Sequence, residues 1–210
     1  MTNDSVISIW KNSGMTSFDV IRKVKSQIGD IKIGHCGTLD PFAEGILILC
    51  LGSSTKNISK YTNYEKEYVA TIILGEETDT LDKTGKIINK KEVPDLSEKN
   101  VEEKIESFKG ETLQIPPYFS ALKFQGMRLY DFARQDIFIR KKPRMISIDD
   151  IKLLELKNNE LKIYVKCSKG TYIRSLARDI AYKLDTVGHL ISLKRIAVGP
   201  YSEKNALKIE

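Results

Sequence analysis

Ile46-Leu47-Ile48-Leu49-Cys50-Leu51 is an unbroken apolar run. It is too short for most helices and rich in isoleucine, which predicts a strand buried on both faces. Directly before it lies Gly34-His35-Cys36-Gly37-Thr38-Leu39-Asp40-Pro41-Phe42-Ala43-Glu44-Gly45, a glycine-punctuated loop that carries Asp40. The strand is expected to hold this loop against the core, and the chemistry is placed on the loop.

Elsewhere helix-like and strand-like segments alternate, with no linker rich in proline and serine and no internal repeat. Val6–Trp10 is a short apolar run. Val20, Ile21, Val24 and Ile28 share one helical face behind a cap at Thr16 or Ser17. Tyr68, Ala70, Ile72 and Leu74 fall on one face of a strand over Glu67–Leu74. Val101, Ile105 and Phe108 mark a helix that stops at Gly110. Leu161, Ile163, Val165 and Cys167 alternate as a half-buried strand that Gly170 breaks. Ile173, Leu176, Ala177, Ile180 and Leu184 form the stripe of a further helix, with Arg174, Arg178 and Lys183 assigned to its opposite side. A last strand, His189–Val198, contains Leu193. Mixed elements without a strict strand–helix repeat predict an α+β fold over residues 1–210, read as one domain.

A chain of 210 residues suffices for one sizeable core. Its 34 Lys plus Arg against 28 Asp plus Glu leave a net charge of +6, which suits a polyanionic partner. Cys36, Cys50 and Cys167 are odd in number and make no Cys-x-x-Cys pair, so a reducing cytosol and no structural zinc are expected. No apolar run is long enough to span a bilayer, and no signal-peptide core precedes Lys11, so a cytoplasmic protein without membrane association is expected. Gly52-Ser53-Ser54-Thr55-Lys56 lacks the spacing of a phosphate loop, and no dinucleotide motif is present.

Asp40-Pro41 alone is a common turn-starting pair. The full block from Gly34 to Pro41, however, resembles the active-site motif of the tRNA pseudouridine-55 synthases. Four further stretches are similar to the same family in the same order: Lys66–Ala70, Gly75–Asp82, Pro116–Gly126 and Cys167–Arg174. Lys11-Asn12-Ser13-Gly14-Met15-Thr16-Ser17 stands where the family usually has Lys-Pro-x-Gly-x-Thr-Ser. The resemblance implies a pseudouridine synthase fold, with a mixed, mostly antiparallel central sheet flanked by helices and loops. It also implies an enzyme that isomerises the uridine at position 55 in the T-loop of tRNA. The N1–C1′ bond breaks, the uracil turns, and C5 joins C1′. No electrons or atoms enter or leave, so no cofactor and no metal are expected.

Asp40 maps onto the catalytic aspartate of that family. A carboxylate beside the sugar can attack C1′ as nucleophile or take a proton from C2′ as base, and both routes stay open. Either needs an ionised group in a partly desolvated pocket, where a neighbouring cation offsets the effect of burial. The resemblance supplies Arg174 as that cation. It also makes Tyr68 the residue that stacks on the target uracil and takes part in late proton transfer. Tyr172 then lines the pocket, His35 contacts RNA and helps extrude the base, Leu193 closes the pocket floor, and Asp82 is a further acid of the site region. Without the resemblance each has a plainer reading: a loop histidine, surface-tipped tyrosines, a core leucine, a turn aspartate and a solvated helix arginine.

Residues 123–144 interleave basic and aromatic side chains most densely, among them Lys123, Phe124, Arg128, Phe138, Arg140 and Arg144. The segment resembles the family's thumb, which closes on the T-arm, so Lys123, Arg128 and Arg144 are expected to contact RNA. Family members usually continue into a C-terminal RNA-binding domain of the PUA type. This sequence stops shortly after Tyr201, and no such domain is expected. The expected partner is the tRNA T-arm stem-loop, with no obligatory protein partner and a monomeric chain. Two other functions fit these motifs: a guide-RNA-dependent pseudouridine synthase, and a non-catalytic RNA-binding or annealing protein on the same fold.

Overall fold

A computed structural model describes residues 4–208 apart from 121, 122, 134, 136, 138 and 140. Phe138 and Arg140 of the expected thumb thus lie outside the described residues, as do the side chains of Lys123, Arg128 and Tyr130. In chain order the elements are β1 (Val6–Lys11), α1 (Ser17–Ile28), β2 (Ile33–His35), β3 (Glu44–Leu51), α2 (Ile58–Thr62), β4 (Lys66–Leu74), β5 (Glu76–Thr78), β6 (Ile87–Lys90) and α3 (Glu98–Glu106). They continue with β7 (Gly110–Gln114), β8 (Lys123–Phe124), β9 (Met127–Arg128), α4 (Leu129–Ala133), β10 (Arg144–Lys157), β11 (Glu160–Cys167), α5 (Ile173–Lys183), β12 (Gly188–Val198), β13 (Tyr201–Ser202) and β14 (Leu207–Lys208). The fold is α+β, as the mixture of periodicities predicts. Described strand pairings are antiparallel except β1 with β14 and β12 with β3.

Packing gathers the chain into two compact units. The first comprises Met1–Val69, Val165–Lys169 and Ser192–Glu210; the second comprises Ala70–Tyr164 and Gly170–Ile191.

In the first unit the strand order is β14-β1-β3-β12, with β2 added to β3. β3 is buried on both faces, as its unbroken apolar run predicts. Leu47, Leu49 and Leu51 pack with Ile9 of β1 and Val20, Ile21 and Val24 of α1. Ile46, Ile48 and Cys50 point the other way, into Trp10, Cys36 and Val198. Each fully buried Leu or Ile here contributes roughly 1.5–3 kcal/mol. Helix α1 is started by a capping box. The Thr16 hydroxyl accepts from the Asp19 N–H at 3.0 Å, and the Asp19 carboxylate accepts from the Thr16 N–H at 2.8 Å. Such a cap contributes about 1 kcal/mol. Thr16 is therefore the cap, and Ser17 is free for a different task, accepting from the Leu39 N–H at 3.0 Å.

In the second unit β10 pairs with β7, placing Met145 opposite Leu113. Helix α3, capped by Ser97, packs on β10 and α5 through Val101 and Ile105. It ends at Glu106, earlier than the expected stop at Gly110. The Phe108 and Lys109 N–H groups instead bond the carbonyls three residues back, and Gly110, at φ 99°, opens β7. Helix α5 buries Ile173, Leu176, Ala177 and Ile180 as its stripe predicts. It also buries Arg174, which the sequence assigned to the opposite side. Among the described residues no helix is long and apolar enough to cross a membrane.

Candidate active site

Asp40 lies on the turn between β2 and β3, half-buried, in the first unit. The Cys36 N–H bonds the Ile48 carbonyl at 2.8 Å, Gly37 takes φ 97°, and the Leu39 N–H reaches Ser17. Two enclosed cations hold the carbonyls on either side of the aspartate. Arg195 of β12 donates from Nη2 to Gly37 O and from Nη1 to Thr38 O, both at 3.2 Å, and from Nε to Ile46 O at 2.7 Å. Lys11, at the end of β1, donates from Nζ to Ala43 O at 2.6 Å, Met15 O at 2.7 Å, Asn12 O at 3.0 Å and Pro41 O at 3.4 Å. Burial, then the Arg195 charge, brings the Lys11 ammonium down to about 8, against the favourable field of Asp40.

Tyr68 sits on the buried face of β4, where its alternation places it. Burial pushes its phenol up to about 12, and the charge of the Arg195 guanidinium acts in the opposite direction. Asp40 lies close enough to add to the upward push. The same parity buries Lys66, whose Nζ donates to the carbonyls of Thr62 and Tyr64, each at 2.6 Å. Leu193 is buried two residues before Arg195 on the same side of β12. His35 ends β2, half-buried, opposite Leu49. Asp40 and Tyr68 are thus brought together around Arg195 and Lys11.

In the second unit Arg174 is only 5% exposed, so the solvated-arginine reading is excluded. Its Nη1 donates to Thr80 O and its Nη2 to Phe119 O, both at 2.9 Å, and Nη1 lies 3.5 Å from Asp82 Oδ2. Asp82 Oδ1 accepts from the Thr80 hydroxyl at 2.9 Å and from the Thr84 N–H and hydroxyl at 2.9 and 2.5 Å. Asp82 is therefore both a turn organiser and a partner of Arg174. Tyr172 is the N-cap of α5, and its backbone N–H and C=O are both held by the buried Gln114 amide, at 2.8 and 3.1 Å. Lys141 Nζ stands 3.4 Å over the Tyr118 ring, with its ammonium lowered to about 8 by burial and by the charges of Arg178 and Arg174. Lys123 and Arg128 face each other across β8 and β9, and Arg144 is exposed on β10 opposite Gln114.

Residues 22–173 match the family of TruB pseudouridylate synthases in their N-terminal domain. The chain belongs to the TruB family. It is 46% identical over 208 residues to the tRNA pseudouridine synthase B of Francisella philomiragia, covering 99% of this chain and 69% of that protein. It is 44% identical over 207 residues to the tRNA pseudouridine synthase B of Clostridium acetobutylicum, covering 99% and 71%. Among solved structures, a Cbf5-Nop10-Gar1 complex superposes with a TM-score of 0.76 at 27% identity, over 99% of this TruB-family chain. The chain spans about half the length of that neighbour, 52%.

Two residues central to the TruB-type Asp40 turn, Lys11 and Arg195, had no role in the sequence reading. The signal for Arg195 is parity. In Leu193-Lys194-Arg195 the arginine shares the buried side with Leu193, where a charge needs a built-in partner. For Lys11 the signal is its position closing the apolar run Val6–Trp10. Gln114 carries no comparable mark.

Proposed function

We propose that this chain converts the T-loop uridine at position 55 of tRNA to pseudouridine, with Asp40 as the catalytic group. The observation that carries the reading is the Asp40 turn itself, clamped by Lys11 and Arg195 beside the buried Tyr68. Membership of the TruB family supplies the reaction class. Asp40 acts at the sugar of an everted nucleotide, either on C1′ or on the C2′ proton, while N1–C1′ breaks and C5–C1′ forms. At neutral pH the Tyr68 phenol keeps its proton, so it offers a ring face and a hydroxyl rather than a phenolate. Stacking on such a ring returns about 1–3 kcal/mol to a base that has left its stack. The family resemblance gives Arg174 the role of countering the charge of the catalytic carboxylate, and Tyr172, Leu193, His35 and Asp82 roles toward the substrate. Lys123, Arg128 and Arg144 contact phosphates of the T-arm. The enzyme works in the cytoplasm as a monomer without cofactor or protein partner.

The test is mass-spectrometric mapping of pseudouridine in a bare T-arm stem-loop incubated with the chain alone. Wild type should modify one uridine, whereas Asp40→Asn should modify none and bind the stem-loop with affinity within about threefold. Wild type that anneals RNA but makes no pseudouridine points to a non-catalytic binder. Modification that appears only with an added guide RNA favours the guide-dependent reading.

A further inference from the structure

Helix α5, in the second unit, opens at Tyr172, whose side chain makes no capping bond. The N–H groups that begin a helix need partners from outside it. Gln114, the last residue of β7 and 2% exposed, supplies one. Its Oε1 accepts from the Tyr172 N–H at 2.8 Å and its Nε2 donates to the Tyr172 carbonyl at 3.1 Å, so one planar amide grips both sides of that residue as a neighbouring strand would. The same carbonyl accepts from the Leu176 N–H at 3.0 Å, the first bond of the helix ladder. The carbonyl of Ile115, directly after β7, accepts from the Ser175 hydroxyl at 2.8 Å. Arg174 thus leaves a main chain pinned before and after it, and its guanidinium reaches Thr80 O and Phe119 O, both at 2.9 Å.

We propose that Gln114 is a positioning residue for the uridine isomerisation, fixing the main chain at the start of α5 so that the Tyr172 ring and the Arg174 guanidinium are presented to the nucleotide in one placement. The role rests on the reading that Tyr172 and Arg174 both serve that nucleotide. An amide suits the task because it carries one acceptor and a donor side by side, matching the N–H and C=O of a single residue; a carboxylate has no donor, and a thioether offers next to nothing. Gln114 itself transfers no proton and forms no bond to substrate. Its effect is expected on the chemical step, because misplacement by about 1 Å lowers rates on the order of 100-fold, and not on RNA affinity, which phosphate contacts dominate.

The experiment uses the full chain and a T-arm stem-loop under single-turnover conditions. Gln114→Met, which fills the same space and loses both bonds, should slow pseudouridine formation about 100-fold while stem-loop affinity stays within about threefold. Hydrogen exchange locates the cause: the Tyr172 amide should exchange faster in Gln114→Met, while the amides of β11 keep their wild-type protection. A wild-type rate in Gln114→Met, a fall in affinity matching the fall in rate, or an unchanged Tyr172 amide would each overturn the proposal. If Gln114→Met does not fold, Gln114→Glu takes its place at pH 9. Its carboxylate keeps the shape and the bond from the Tyr172 N–H but cannot donate to the Tyr172 carbonyl, so the rate should fall at least about tenfold, and a wild-type rate refutes the role. The underlying reading fails separately: wild-type rates in both Tyr172→Ala and Arg174→Lys remove these residues from the site, whereas a slow Tyr172→Ala beside a fully active Gln114→Met removes only the role of Gln114.

Discussion

Gly45 and Arg195 face each other across the parallel pairing of β3 and β12, and a Cβ on Gly45 would lie 2.2 Å from the Arg195 carbonyl oxygen. The glycine also holds φ 120°, a conformation that side chains disfavour. Gly45→Ala should therefore destabilise the chain by about 3 kcal/mol, combining strain and overpacking. Denaturant melts will show it, and a loss below about 1 kcal/mol would mean that the strands can separate at no great cost.

Lys11 should leave a mark on the pH dependence of stability. Its ammonium releases its proton near 8 in the folded chain and near its ordinary 10.5 when unfolded. Between those values the unfolded chain binds more protons, so this group makes stability rise with pH. From pH 8 to 10 the unfolding free energy of wild type should therefore gain on that of Lys11→Met. A difference that stays flat or moves the other way contradicts the buried, charged lysine.

Asp82→Ala should destabilise the chain by about 3 kcal/mol, because it removes a carboxylate buried against Arg174 and empties the acceptor that organises Thr80 and Thr84. Asp82→Asn keeps the turn acceptor and loses the charge, so it should retain part of that stability. Thermal melts of the two variants separate the turn from the ion pair; equal losses would leave the turn with no share.

Arg144→Ala tests the nucleic-acid face. If the exposed guanidinium meets a phosphate, the slope of log affinity for tRNA against log salt should become shallower by about one unit. An unchanged slope removes Arg144 from the interface.

Short-range patterns carried much of this architecture. The i, i+3, i+4 stripes of α1 and α5 and the alternation of β4 and β11 depend on neighbours a few residues away, and these elements form where their patterns place them. Two-sided burial of β3 was legible for the same reason. The partners of isolated charges were not. Arg174 reads as one charge among several on a helix, and the arrival of carbonyls from Thr80 and Phe119, some 94 and 55 residues away, together with the Asp82 carboxylate, helps make its burial tolerable. Arg195 is similar: its acceptors lie 149 to 158 residues upstream, and the parallel pairing that brings them close has no local signature. The end of α3 was misplaced because Gly110 suits a helix terminus and a strand start equally well.

Lys11 and Lys66 illustrate how enclosure and reactivity part company. With ammonium groups brought down to about 8, they would count among the readiest amines in the chain toward an acylating reagent at neutral pH. Yet carbonyl oxygens surround both, and almost nothing of either touches solvent. Any label that arrives on Lys11 reports the moment Pro41 and Ala43 swing away, which makes a silent lysine a clock for the opening of the Asp40 turn, while Lys66 times the release of the Thr62 and Tyr64 carbonyls.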